Sequence, residues 1–128
     1  MNIYTLAVGP IMANCFILEC AETKTAAIID PGDEATRILL RVKELGLSVA
    51  QIINTHGHFD HVGANAPIKA ATKAPLLIHK ADAPMLAHLS ETAAAFGLRT
   101  ENSPQPDRTI DEGDLITVGN ITLKVIHT

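Results

Sequence analysis

Thr55-His56-Gly57-His58-Phe59-Asp60-His61 places three imidazoles and a carboxylate directly after the apolar run Val49-Ala50-Gln51-Ile52-Ile53. Such a run constrains the fold, because a buried strand must end at an edge where polar side chains can converge. In an extended chain residues i and i+2 project to one side, so His56 and His58 can grip one ion. A turn after the strand can present Asp60 and His61 to a second ion a few Å away, as two-metal hydrolytic sites require. Imidazole and carboxylate suit zinc, manganese or iron(II). Four ligands shared between two ions leave each one short, so other segments must complete the site. The competing reading is a solvated turn that is histidine-rich by accident. Against it stand the strand-like lead-in and the helix-compatible lead-out Val62-Gly63-Ala64-Asn65-Ala66, which supply the context such a motif needs.

Patterning around this run predicts alternating strands and helices. Ile3 to Val8, Asn14 to Glu19 and Thr25 to Asp30 read as strands separated by Gly9-Pro10 and Ala21-Glu22-Thr23-Lys24. Asp33 is positioned to cap a helix running to Leu45 and closed by Gly46. Its residues Ala35, Ile38, Leu39, Val42 and Leu45 form one apolar stripe, which is core packing. Val49 to Asn54 is a buried strand, Asn65 to Thr72 a short helix, Pro75 to Ile78 a strand, and Ala83 to Phe96 a helix closed by Gly97. Arg99 to Arg108, with Pro104 and Pro106, reads as a loop. Leu115 to Val118 and Ile121 to Ile126 form a hairpin across Gly119-Asn120, a strong two-residue turn signal. Strands followed by helices, repeated, give an α/β class.

One domain suits 128 residues, and 47% apolar content is ordinary for a soluble core of Ile, Leu, Val and Ala. Ten basic against fourteen acidic side chains give a formal charge of −4, with no basic stripe for nucleic acid and no membrane anchor. No segment is long and apolar enough to span a bilayer, and the N-terminus lacks the basic start of a signal peptide. Cys15 and Cys20 are an odd number of positions apart on one strand, so they point to opposite faces and do not pair. Two lone thiols fit a reducing, cytoplasmic setting.

The pattern His56-x-His58-x-Asp60-His61 resembles the metal-binding signature of the metallo-β-lactamase superfamily. Supporting pieces stand in the expected order. Asn14-Cys15-Phe16-Ile17-Leu18 resembles the family's early strand, and Ala27-Ile28-Ile29-Asp30-Pro31-Gly32 its "IDPG" turn. Ala74-Pro75-Leu76-Leu77-Ile78-His79-Lys80 and Asp111-Glu112-Gly113-Asp114 are similar to segments of the bacterial glyoxalase II-like (hydroxyacylglutathione hydrolase-like) branch. The resemblance covers the whole chain, and its HxHxDH run is the specific part.

It implies the N-terminal half of an αββα sandwich with the metals at one edge of two sheets. It also implies a two-zinc hydrolase, with iron or manganese as alternatives. By the same resemblance His56 and His58 hold the first ion, and Asp60 and His61 hold the second. Asp60 also orients the attacking hydroxide, the substrate is a small-molecule thioester, and Asp30 supports the site from behind. The family's next ligands follow an "HTPGH" stretch of which His127-Thr128 matches the opening, so the expectation is one domain truncated at its C-terminal end. A half sandwich leaves an apolar sheet face uncovered, which predicts self-association or an incompetent half-domain. An iron-dependent persulfide dioxygenase-like oxidoreductase shares the motif. Flavodiiron modules are disfavoured by His58, nucleases by the acidic balance, and true β-lactamases by His61. Of the remaining histidines, His79 and His88 read as ordinary polar residues, and His127 as the nearer candidate for a further ligand.

Overall fold

The computed structural model describes residues 1–98 and 102–126. Eight strands occur among them. β1 (Asn2–Val8), β2 (Ala13–Cys20), β3 (Thr25–Ile29), β4 (Ser48–Asn54), β5 (Leu76–His79) and β6 (Arg108–Ile110) form one sheet in that spatial order. The first three pair antiparallel, and β3 through β6 run parallel. Parallel neighbours need crossovers. The helix α1 (Ala35–Leu45) supplies the first, and α2 (Phe59–Val62) with α3 (Asn65–Thr72) the second. The hairpin β7 (Leu115–Val118) and β8 (Ile121–Lys124) makes a separate two-stranded sheet. The chain therefore has the α/β fold the sequence implies.

Two cores lie on the two faces of the large sheet. On one, Cys15, Ile17, Ile28, Ile52, Leu76 and Ile78 meet the α1 stripe and Ile68 of α3. Ile38 and Val42 are its buried members, with Ala35, Leu39 and Leu45 packed beside them. On the other face, Leu18, Ala27, Ile53, Leu77 and Ile110 meet Ile116 and Val118 of the hairpin. Strand alternation explains the division: Leu18 and Ile17 are neighbours that serve opposite faces. The same alternation separates the two thiols, and both are free.

The second core corrects one expectation. The sheet face away from the helices is not bare, because the hairpin folds over it and buries Leu18, Ala27, Ile53 and Leu77. The hairpin turn is fastened where Asn120 Nδ2 donates to Glu22 Oε2 at 2.7 Å. Gly119 sits so close to the β2–β3 turn that a Cβ would lie 2.2 Å from Thr23 Oγ1.

Three local expectations also change. Asp33 does not cap α1. Its Oδ1 accepts from the Glu34 N–H at 2.7 Å, and Glu34, in a left-handed conformation with φ 54°, takes the cap position. The Glu34 carboxylate instead accepts the Gly9 N–H at 2.9 Å, tying the β1–β2 turn to the helix start. The segment expected as one helix over 83–96 divides into a 3-10 helix (Ala83–His88) and α4 (Leu89–Ala95). Pro84 has no N–H to give, and the opening turn closes by an i→i+3 bond from Met85 to Asp82. That three-residue repeat places Leu86 and Leu89 together in the core. Finally, a three-residue strand, β6, begins at Arg108, where the expected loop ends; residues 99–101 of that loop lie outside the described residues. Among the described residues no helix is long and apolar enough to cross a membrane.

Candidate metal centre

Asp30 follows β3 with φ 55°, the left-handed region that Asp tolerates better than most residues. This turn sends its carboxylate across to the end of β4. Oδ1 accepts the Thr55 N–H at 2.7 Å, while Oδ2 accepts the Thr55 hydroxyl and stands 3.2 Å from His61 Nδ1. Burial pushes the Asp30 pKa up, and the Thr55 bonds and the nearby His61 oppose that rise. One buried carboxylate thus holds both ends of the histidine run. Asp30 both forms the turn after β3 and holds the histidine run.

Two residues later Gly32 makes the close approach possible. A Cβ there would fall 1.9 Å from the Asp60 carbonyl oxygen. The metal loop lies directly against the Asp30-Pro31-Gly32 turn, and the Ala64 N–H donates to the Pro31 carbonyl at 2.8 Å.

His58 has extended backbone angles (φ −71°, ψ 145°), after which the chain turns at once into α2. Asp60 and His61 therefore ride on the first helical turn rather than on an open loop. The rings converge. His56 lies 6.0 Å from His58 and 5.0 Å from His61, centre to centre. His61 Nε2 stands 3.4 Å from Asp60 Oδ2. With nitrogen–metal bonds of ~2 Å, two imidazoles on one tetrahedral ion place their ring centres about 5 Å apart. The His56–His61 spacing equals that value, and His56–His58, the pair that the resemblance gives to one ion, is wider at 6.0 Å.

A bond from His61 Nδ1–H to Asp30 fixes the tautomer that leaves Nε2 as a lone-pair donor, the usual device for a metal-binding imidazole. In donor type the four side chains suit a divalent metal. Among the described residues, however, no three such side chains are placed together to hold one ion.

The other histidines stand apart from this cluster in different ways. His79 ends β5 and accepts the Ala81 N–H on Nδ1 at 3.0 Å, which uses its one lone pair. Its Nε2 lies 3.3 Å from Asp111, whose carboxyl is held down at about 2, chiefly by the Lys80 ammonium 2.5 Å away. His79 is thus a strut between β5 and the turn before β7. His88 is exposed, 3.7 Å from Glu91. His127 lies outside the described residues.

A cavity of about 530 Å³ opens beside the histidines, between the two sheets. His56, His58, His79 and Asp82 line its polar side, and Ile53, Ile110, Ile116, Leu123 and Val125 its apolar side. Sequence reasoning missed Thr55 as a partner of Asp30. It also missed Asn54 and Asn65, buried side chains hydrogen-bonded to each other beneath the loop. A signal existed in the second case: a carboxamide stands at each end of the run, where the flanking pattern is apolar.

A sequence profile of the metallo-beta-lactamase superfamily matches residues 8–128. The chain belongs to that superfamily. Among curated relatives, an uncharacterized protein of Aquifex aeolicus is 38% identical over 128 residues, which is all of this chain and 60% of that protein. The hydroxyacylglutathione hydrolase GloC of Haemophilus influenzae is 35% identical, over 99% of this chain and 60% of its own length. Among solved structures, the BLEG-1 B3 metallo-beta-lactamase superposes with TM-score 0.88 at 27% identity, covering 99% of this chain and 61% of that one. TTHA1623 in a di-iron-bound form gives 0.80 at 36%, covering 87% and 55%. The chain therefore spans about 60% of the length of the curated relatives it matches.

Proposed function

We propose that this site serves metal-dependent hydrolysis of a small-molecule thioester. The observation that carries the reading is the His61 ring, pinned by Asp30 on one nitrogen and facing Asp60 with the other, beside His56. His56 and His58 would hold one ion, and Asp60 and His61 the other. A bound pair of divalent cations supplies a hydroxide nucleophile near neutral pH and a Lewis acid for the scissile carbonyl.

The chain's own residues do the rest. Asp30 keeps His61 in its donor tautomer. Asp60 would orient the attacking oxygen through a hydrogen bond. The apolar wall of Ile53, Ile110, Ile116 and Leu123 seats the acyl or thiol arm and excludes water from the far side of the carbonyl. No serine or cysteine nucleophile is needed. Cys15 is fully buried in the helix-side core and takes no part.

Support for the thioester comes from relatives named hydroxyacylglutathione hydrolase at 34–35% identity. The di-iron-bound relative supports iron beside zinc as the metal. Two donors per ion are fewer than the three or four of established zinc sites, so turnover requires further donors. Thioesterase activity is to be assayed, zinc- or iron-loaded, for the 128-residue chain and for any longer product of the same reading frame. The longer product should hydrolyse glutathione thioesters and lose this on His58→Ala. In the short chain alone, activity should rise steeply with concentration, because a second molecule must supply donors. The reading is overturned if the loaded protein leaves a thioester panel intact while it opens a β-lactam or consumes oxygen with a persulfide.

A further inference from the structure

Asn54 is the last residue of β4 and Asn65 the first of α3, eleven positions apart, and the donors His56, His58, Asp60 and His61 all lie between them. Both are buried, at 1% and 0% exposure. Their carboxamides bond reciprocally: Asn54 Nδ2 donates to Asn65 Oδ1 at 3.1 Å, and Asn65 Nδ2 donates back to Asn54 Oδ1 at 2.8 Å. The second hydrogen on Asn65 Nδ2 goes to Ser103 Oγ at 3.0 Å. Ser103 is anchored in turn, its N–H donating to the Leu86 carbonyl at 3.1 Å and its hydroxyl to the Pro104 carbonyl at 2.9 Å.

We infer that Asn54 and Asn65 form an amide clasp across the base of the metal loop, and that this clasp sets the convergence of His56, His58 and His61. The two asparagines are positioning residues. They act by fixing where the loop leaves β4 and where it enters α3.

Burying two carboxamides is unfavourable unless both are satisfied. An apolar pair of the same shape would fill this space at similar or better stability. What the amides add is direction: a reciprocal pair has one register, whereas two apolar side chains can slide. Other ties reach the loop through Asp30 to Thr55 and His61, through Pro31 to Ala64, and through Phe59 packed on Phe96; the clasp adds a fixed spacing between the loop's two ends. A site held within a fraction of an ångström requires support of this kind from neighbouring side chains.

The discriminating experiment replaces Asn54 and Asn65 by leucine, singly and together. Each single change strands one buried carboxamide and should lower Tm by several degrees. The double change should recover most of that loss. If the clasp positions the loop, the double variant nonetheless loses the ring-proton NOE between His56 and His61. Its amides over 55–64 should exchange about tenfold faster, and its cobalt affinity, read by chelator competition, should fall about 10–100-fold. A double variant that keeps the NOE and the parent's exchange pattern overturns the clasp.

Ser103→Ala is the milder variant should the leucine pair not fold. It should raise loop exchange with little change in Tm, and unchanged exchange again overturns the proposal. The NOE and exchange readouts need no metal. A parent that binds no cobalt while its loop order depends on the asparagines would sink the metal reading of the previous section and sustain the clasp.

Discussion

Replacing Gly32 by alanine puts a methyl carbon 1.9 Å from the Asp60 carbonyl oxygen and 2.8 Å from its carbon. Comfortable contact between such atoms begins near ~3.5 Å, so the two backbones must part by about 1.6 Å. Gly32 is not among the residues with positive φ. The alanine is therefore refused by space and not by backbone angle. The turn has little freedom to retreat, because the Pro31 carbonyl accepts the Ala64 N–H and the Asp30 carboxylate holds Thr55. The helical turn that carries Asp60 and His61 must move instead.

Overpacking of this kind costs about 1–3 kcal/mol of stability, and a displacement of ~1 Å in a catalytic constellation can cost about 100-fold in rate. Gly46→Ala is the control. A Cβ there meets nothing within 4 Å, though its φ of 69° strains the new residue, so it should cost about 1 kcal/mol and leave the loop alone. Urea midpoints, cobalt affinity and thioester kcat/KM would be measured for both variants. A Gly32→Ala protein with parental metal affinity, or one matched by Gly46→Ala in every readout, would refute the close-approach reasoning.

Asp30→Asn should weaken metal binding by about 10–100-fold, because the amide no longer fixes the His61 tautomer as a carboxylate does; undiminished cobalt affinity would leave Asp30 as a turn former only. Burial, and secondarily the Asp30 charge, push the Cys15 thiol up to about 12. The unfolded chain then releases this proton first, near pH ~8.5, and stability declines as pH climbs from there toward 12, by roughly 2 kcal/mol at pH 10. Urea midpoints at pH 8 and 10 should drop more for the parent than for Cys15→Ala, and equal drops would contradict the shift. Ile116→Ala should cost about 2–5 kcal/mol and loosen the hairpin from the sheet. Sedimentation should then show concentration-dependent association that the parent shows less, and a variant as monomeric as the parent would mean the hairpin is not what shields that face.

What could be read from the chain and what could not divide along the range of the interaction. The strand before the metal loop, the α1 stripe and the β7–β8 turn were legible because each is a local period or a local turn chemistry, complete within a dozen residues. His56 and His58 were legible for the same reason, since i, i+2 projection needs only an extended backbone. The split of the 83–96 segment was not, even though Pro84 is in plain view. Proline at the start of a helix is compatible with an α-helix, and it was the shared burial of Leu86 and Leu89 that went with a three-residue repeat. Strand β6 was hidden because its three residues follow two prolines and acquire strand character only by pairing with β5.

Coverage of the second sheet face depended on a fold-back of the hairpin over a separation of 98 positions, where Asn120 meets Glu22. The site divides in the same way. Its donors are contiguous and readable, whereas what aims them comes from Asp30, Gly32, Asn65 and Ser103, each remote in sequence from the atom it constrains. A motif therefore states which chemistry a loop can perform, and the residues that hold the loop decide whether the donors meet. Substitutions at Gly32 or Asn65 should consequently weaken metal binding while every letter of the HxHxDH run is intact.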